Sequence, residues 1–326
     1  MQAALKKSDD EHGELATDKI ANDFLDLFLG KRDGHLTEYL YEGQNDFFDR
    51  VTKDQECYYI TNSDIELVEM YGSKIHDLVG DNLNFIEIGP GYKYTVENKT
   101  VPLIKNFQHI LSYRAIDLYL HLSQEATACV ESLCSNVSQV TPLEGDLMKP
   151  YQFAMPKEKT CMLFWGSTFS NFLDKDIDKA MSNISQILKD GDFFICTLDC
   201  CQNQEMIVNA YSSQFAQKGT KNIFHFLQKS LKIKNFDFND FTFLCSWNPD
   251  TCQAELFLLS TKNQSFELKG HTINVKKDQL YKLIRSRKFS TDWSKSMFNS
   301  HGFKVLESFA HPVSNVTVFL TQKTTA

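Results

Sequence analysis

Residues 84–91 read NFIEIGPG, a short apolar run that breaks off in a glycine-rich turn. A run of this length between turn residues reads as a buried strand, and glycines just beyond it let the backbone approach a ligand with no Cβ in the way. Four similar runs follow. They are Ser112 to Leu118, which ends at Asp117; Val140 to Leu143, followed by Glu144-Gly145-Asp146; Thr160 to Trp165; and Asp192 to Leu198, ending at Asp199. Helical patterns fill the gaps, such as Asp174 to Lys189, with Asp190-Gly191 as its stop. Strands alternating with helices predict an α/β fold on a parallel, doubly wound sheet.

Upstream, residues 1–18 read as a polar tail and Ala21 to Leu29 as an amphipathic helix. Downstream the alternation lapses. A helical region from Gln204 to about Leu231 leads into strand-like runs at Phe241–Trp247, Cys252–Ser260 and Gly270–Val275. Trp293 to His301 then reads as a helix stopped by Gly302, and strands at Val305–Ser308 and Val316–Leu320 would complete the earlier sheet. The expected organisation is a flexible tail over 1–18, one domain from 65–203 and 287–326, and a smaller α+β domain from 19–64 and 204–286.

With 326 residues, 42% hydrophobic and 23% charged, the chain has an ordinary globular composition and length enough for a sizeable core. A net charge of −8 argues against a nucleic-acid partner, because a binding face would be basic. Short basic groups, Lys232/Lys234 and Arg285/Arg287/Lys288, read as solvated faces or local ion pairs. No apolar run reaches the roughly 18–20 residues of a membrane span, and the first 20 residues lack an apolar signal-peptide core. The nine cysteines are scattered, with no Cys-x-x-Cys pair and no Cys/His spacing for a metal. A cytoplasmic protein is expected, without metal, membrane or nucleic acid, acting as a monomer on a small molecule.

In an open parallel sheet, ligands sit beyond the carboxyl ends of the strands. Those ends carry Gly89 and Gly91, Asp117, Asp146, Gly166 to Asn171, and Asp199. An acid after the second strand can accept both hydrogen bonds of a ribose diol, and one after the third can accept from an adenine amino group. The glycine motif lacks the third glycine of G-x-G-x-x-G and the Lys-Ser/Thr of a phosphate loop, which disfavours NAD and ATP and favours S-adenosylmethionine. Each acid taken alone also reads as an ordinary helix N-cap. Residues 163–172, LFWGSTFSNF, raise a further question: an apolar strand opens into Gly166-Ser167-Thr168 and then sets Asn171 among phenylalanines.

These segments, in this order and spacing, resemble the histidine Nα-methyltransferases of ergothioneine biosynthesis. EIGPG (87–91), AIDL (115–118), EGDL (144–147), LFWGSTFSNF and NAY (209–211) carry the likeness. YLYEGQNDFFDRV (39–51), CYYITNSD (57–64), SWN (246–248) and RSRKF (285–289) extend it over residues 39–321. The resemblance implies a Rossmann-like methyltransferase domain that binds S-adenosylmethionine, and a second domain closing over an amino-acid substrate. It implies Gly89 and Gly91 beneath the cofactor, Asp117 on its ribose and Asp146 on its adenine. A lysine for the cofactor's methionine carboxylate falls at Lys99 if residues 92–95 are an insertion and at Lys93 if they are not, with Lys99 preferred. The loop from Gly166 to Asn171 would line the junction of both ligands, with Asn171 on the substrate's α-amino and carboxylate end. Tyr41, Tyr59 and Tyr211 would donate hydroxyl hydrogen bonds to that carboxylate or its neighbourhood.

The chain departs from the family where the substrate's side chain would be held. The family's imidazole-binding glutamate, two residues before Ser286, falls at Ile284, and the methionine that flanks the ring falls at Leu256. A lost charged hydrogen bond is worth about 1.5–3 kcal/mol, and a site without it has no reason to select imidazole. The expected substrate is therefore an amino acid or derivative with a less polar side chain than histidine, methylated on its α-amino group. Transfer requires the neutral amine, aimed at the methyl from about 3 Å. No dedicated base is evident; Tyr41 would assist proton loss and Asn171 would orient the nitrogen. Histidine itself, a peptide or protein substrate, and a catalytically silent binding or regulatory protein are the alternatives.

Overall fold

The computed structural model describes residues 18–32, 34, 36, 53, 58–151, 155–166, 168–213, 233 and 235–324. In chain order, α1 (18–28) precedes α2 (Tyr59–Val79), β1 (Leu83–Ile88) and a continuous helical run, α3 (93–104). Next come β2 (Ile110–Asp117), α4 (Leu120–Leu133), β3 (Val140–Glu144), β4 (Thr160–Phe164), α5 (Asp174–Ile187), β5 (Phe193–Asp199) and α6 (Gln204–Ser212). Then follow β6 (Phe241–Asn248), β7 (Gln253–Ser260), β8 (Gln264–Leu268), β9 (His271–Val275) and β10 (Leu280–Arg287). Helix α7 (Thr291–Ser300), β11 (Phe303–Ala310) and β12 (Val316–Lys323) follow. The expected helical continuation toward Leu231 falls largely outside the described residues. Packing divides the described residues into two units, those of 1–51 and 208–286 and those of 52–207 and 287–326.

In the larger unit β1, β4 and β5 are buried along their whole length, as strands are when helices cover both faces of their sheet. The strand order is β3-β2-β1-β4-β5-β12-β11. The first five strands pair in parallel, and β12 runs antiparallel between β5 and β11. Period-2 alternation sorts the side chains into two cores. Phe85, Leu163 and Ile195 join Leu67, Val101 and Val130 from α2, α3 and α4. Ile86, Phe164 and Phe194 join Ile177 of α5 and Phe298 of α7. Full burial of each such side chain stabilises the fold by about 1.5–3 kcal/mol. The doubly wound sheet matches the sequence expectation, and the last helix and hairpin complete it. Strand order reverses between β1 and β4, where open α/β sheets bind their ligands.

Residues 59–64, expected with the smaller domain, pack instead in the larger unit as the start of α2. One stripe of that helix buries Ile60, Leu67, Val68, Ile75 and Val79, so its first turns follow the rest. Helix α7 opens at Ser290, whose Oγ accepts the Trp293 N–H, and Gly302 (φ 76) follows its end as expected.

The smaller unit holds a three-stranded sheet, β10-β7-β6, and the hairpin β8-β9. Phe28 packs edge-on against Phe236, Phe266 and Tyr281 at its centre. Lys269 and Gly270, with φ 48 and 75, make the two-residue hairpin turn. Strands β8 and β10 are additions to the sequence reading. In β8 only Phe266 and Leu268 are buried, and β10 interleaves Lys282, Arg285 and Arg287 with apolar residues, which hides both from a search for apolar runs. No helix among the described residues is long and apolar enough to cross a membrane.

Candidate active site

After β1 the chain turns through Gly89 (φ 60) and Gly91 (φ 74). Side chains are strained at such angles, and a Cβ on Gly91 would stand 3.0 Å from Thr95 Oγ1. That hydroxyl bridges the Pro90 and Tyr92 carbonyls and closes the turn. Within α3, Val96–Thr100 winds as a π-helix, a form that recurs at functional sites. It carries Lys99, whose side chain is buried with Nζ 3.5 Å from Asp64 Oδ2 and 5.6 Å from the centre of the Trp165 ring. Lys93, the alternative cofactor lysine, has its side chain 61% exposed and pairs with Glu97.

Asp117 closes β2 and accepts the Tyr119 N–H at 3.0 Å. Burial pushes its pKa from the ordinary 3.8 up to about 6, outweighing that hydrogen bond and the charge of His121. Asp146, beyond β3, accepts the Met148 N–H at 2.9 Å and pairs with the exposed Lys149. Both acids thus hold local turns, as caps do, and Asp117 does so partly buried.

The loop after β4 starts at Gly166 (φ 79), where a Cβ would meet nothing within 4 Å. Glycine serves the backbone there, not a tight contact. Ser167 lies outside the described residues. Thr168–Asn171 form one 3₁₀ turn that drives Phe169 edge-on against Phe164 at 4.7 Å. Asn171 is left half-buried, and its amide makes no hydrogen bond among the described residues. The phenylalanine anchors the loop in the core, so the polar residue beside it is held at the sheet's ligand-binding end.

At the end of β5, Asp199 is closed on all sides. Oδ2 accepts Lys288 Nζ at 2.6 Å and the Tyr59 hydroxyl at 2.8 Å, and Oδ1 accepts the Cys201 N–H at 3.0 Å. Lys288, expected to be solvated or locally paired, has a side chain 0% exposed and reaches a partner 89 residues away. A lysine in a run of basic residues gives no sequence signal of burial. Tyr59 was expected to donate to a substrate carboxylate. Its single proton is directed to Asp199, so while that bond holds it offers a ligand only lone pairs.

Asp64 is a residue that sequence reasoning missed. It is 1% exposed, and neither carboxylate oxygen accepts a hydrogen bond. Burial raises its pKa, although Lys99, the Thr197 hydroxyl and the Gly166 N–H are near enough to favour the charged form. A single aspartate among polar residues on an amphipathic helix reads as exposed, so nothing in the sequence marks it.

In the smaller unit the Tyr211 hydroxyl donates to Ser286 Oγ at 2.8 Å. Tyr211 packs on the cluster that contains Leu256 and Ile284. The carbonyls of Lys282 and Leu283 accept from Gly34 and Leu36 on one side of β10, and Leu283 and Ile284 are both buried. Strict in–out alternation breaks there, since the adjacent Leu283 and Ile284 are both buried, and Ser286 is buried two residues on. Tyr41 lies outside the described residues.

The family described as histidine-specific methyltransferase, SAM-dependent, matches residues 29–323. The chain belongs to this family. Its fold is the Rossmann-like fold of SAM-dependent methyltransferases, elaborated by additional antiparallel sheets. Relatives of the chain include N-methyltransferase fsqC of Aspergillus fumigatus, 24% identical over 72% of this chain and 65% of that protein. N-methyltransferase imqF of Aspergillus flavus is 22% identical over 81% of this chain and 74% of its own length. Ergothioneine biosynthesis protein 1 of Neurospora crassa is 24% identical over 51% of this chain, which spans only 19% of that larger protein. The larger unit fits the family's cofactor, S-adenosylmethionine, on its own chemistry. Positive-φ glycines follow β1, a partly buried carboxylate ends β2, and a buried lysine stands beside a carboxylate with unused acceptors.

Proposed function

We propose that the chain methylates the α-amino group of a free amino acid or amino-acid derivative whose side chain is less polar than imidazole. The observation that carries this reading is Ile284, 4% exposed within an apolar cluster that includes Leu256, at the position where the likeness to the family expects a carboxylate. The names of the fsqC and imqF relatives favour N-methylation as the reaction. The ergothioneine protein's name and the family description favour histidine as the second reading.

When bound, S-adenosylmethionine supplies an electrophilic methyl group on a sulfonium. Toward it, Lys99 would hold the carboxylate, Asp117 the ribose diol and Asp146 the adenine, over Gly89 and Gly91. Toward the substrate, the Asn171 amide would orient the amine and, with Gly166, line the reacting end. Tyr41 would bind the carboxylate, and Tyr211 would do so by turning its hydroxyl proton from Ser286 to the substrate; Tyr59, its proton directed to Asp199, would accept from the amine. Ile284, Leu256 and Ser286 would meet the substrate's side chain. No acid is proposed beside the nitrogen, because a carboxylate there would favour the unreactive ammonium. Purified protein incubated with S-adenosylmethionine and pooled amino acids and derivatives, read by mass spectrometry, tests the assignment. A methylated aromatic or aliphatic product, with histidine unchanged, is expected. Methylated histidine as the main product would refute the side-chain argument, and no product at all would refute the activity.

A further inference from the structure

We propose that Asp64 is the counter-ion for the cofactor's α-ammonium group, so that Asp64 and Lys99 together grip the zwitterionic end of S-adenosylmethionine. The inference builds on the cofactor assignment of the larger unit and adds a residue to it.

The larger unit contains other buried carboxylates, and they are satisfied. Glu87 accepts from Tyr113 at 2.6 Å and Thr100 at 2.8 Å. Asp192 accepts the Thr160 and Lys189 N–H groups at 2.9 and 2.8 Å. Asp199 has the three donors already described. Asp64 is as deeply buried as these, yet neither of its oxygens accepts a hydrogen bond. Its ion pair with Lys99 is 3.5 Å long, whereas Lys288 and Asp199 close to 2.6 Å. Good charge-assisted hydrogen bonds of this kind measure about 2.7–2.9 Å. Leaving a buried carboxylate loosely held is costly, and a purely structural pair would have closed as the other one does.

Unused hydrogen-bonding groups gather around it. Thr197 Oγ1 on β5 and Trp165 Nε1 after β4 are also buried without partners. The position matches the switch point of the sheet, because Asp64 lies near Gly166, which follows β4, and Lys99 lies on the helical run that follows β1. The chemistry of the pair then selects the ligand. A carboxylate or phosphate alone would satisfy Lys99 and leave Asp64 facing a second anion. An amine alone would do the reverse. An α-amino-acid end brings both signs on adjacent atoms, and replaces one loose ion pair by two without changing the buried net charge.

Isothermal titration of the full chain tests the assignment with three ligands: S-adenosylhomocysteine, its analogue lacking the amino group, and its analogue lacking the carboxylate. Wild type is expected to bind the deaminated analogue about 10–100-fold more weakly, the worth of one charge-assisted hydrogen bond. Asp64→Asn is expected to weaken S-adenosylhomocysteine by a similar factor and to bind the deaminated analogue no worse than wild type does. Lys99→Met is expected to behave in the same way toward the decarboxylated analogue. Equal weakening of all three ligands by Asp64→Asn would show a structural role and overturn the proposal. So would a wild type indifferent to loss of the amino group, a comparison that holds even if the variants fail to fold. Failure of wild type to bind S-adenosylhomocysteine at all would instead overturn the cofactor assignment, and the proposal with it.

Discussion

Asp117→Asn should make the ligand-free protein more stable and its cofactor binding weaker. Burial raises the Asp117 pKa from 3.8 to about 6, so the folded chain binds that proton more tightly than the unfolded chain. The group therefore stabilises the fold below about pH 4, and that contribution is lost as pH rises through about 6. Two pKa units at about 1.36 kcal/mol each set an upper bound of about 3 kcal/mol above that window. The side chain keeps some contact with solvent, so about 1–2 kcal/mol is the working figure. Asparagine has the same shape, can still accept the Tyr119 N–H, and carries no charge to desolvate. Calorimetric melting of the ligand-free protein near pH 8 should show a Tm raised by about 2–6 °C, with the gain gone near pH 4. S-adenosylhomocysteine binding should weaken about tenfold or more, because the amide offers one acceptor oxygen where a ribose diol needs two. An unchanged Tm near pH 8, or a gain independent of pH, would refute the claim that a desolvated charge sits at this strand end. Unchanged affinity would refute its role on the ribose.

Lys288→Met removes one partner of a buried ion pair and should cost about 3–5 kcal/mol in denaturant unfolding; adding Asp199→Asn should recover part of that loss. Gly91→Ala combines a left-handed backbone with a 3.0 Å approach to Thr95, so it should destabilise by more than the ~1–2 kcal/mol of backbone strain alone and weaken cofactor binding. Gly166→Ala has the same kind of backbone angle but open space around it, so it should cost only the strain; equal effects of the two substitutions in thermal melts would count against this reading. Ile284→Glu should destabilise the smaller unit and raise kcat/KM for histidine relative to an apolar amino acid by about 10–100-fold; an unchanged ratio would show that Ile284 does not face the substrate.

Much of the larger sheet is legible in the sequence because its strands are buried on both faces. Phe85, Ile86, Cys161 to Phe164 and Phe193 to Cys196 form unbroken apolar stretches, and the left-handed stops at Gly191 and Gly302 fall where helix-ending glycines were read. Strands β8 and β10 escape because a half-exposed strand carrying lysines and arginines has no such stretch. The candidate site is legible to the same extent. Residues at strand ends, such as Gly89, Gly91 and Asp117, are placed by topology, and topology follows from the alternation of elements. Asp64 and Lys288 are not legible, since whether a charged residue is buried depends on a partner that only the folded chain brings near. Tyr59 shows a further limit: its place near the strand ends could be expected, but the direction of its proton is set by Asp199.

Strand β12 also bears on how the chain is made. It occupies the long flank of β5, yet it is synthesised only after the chain has run from residue 199 to residue 316. At about 5–20 residues per second, β5 waits about 6–23 s for its neighbour. During that interval the edge of Phe193–Leu198, which has no charged residue or proline, is open. Such an edge is a template for pairing with another chain. A ribosome stalled between β5 and β12, or a transcript truncated there, would release a chain whose stickiest strand has lost its natural cover. Yield of soluble protein should therefore depend on elongation rate and on chaperones that hold this edge until the hairpin arrives.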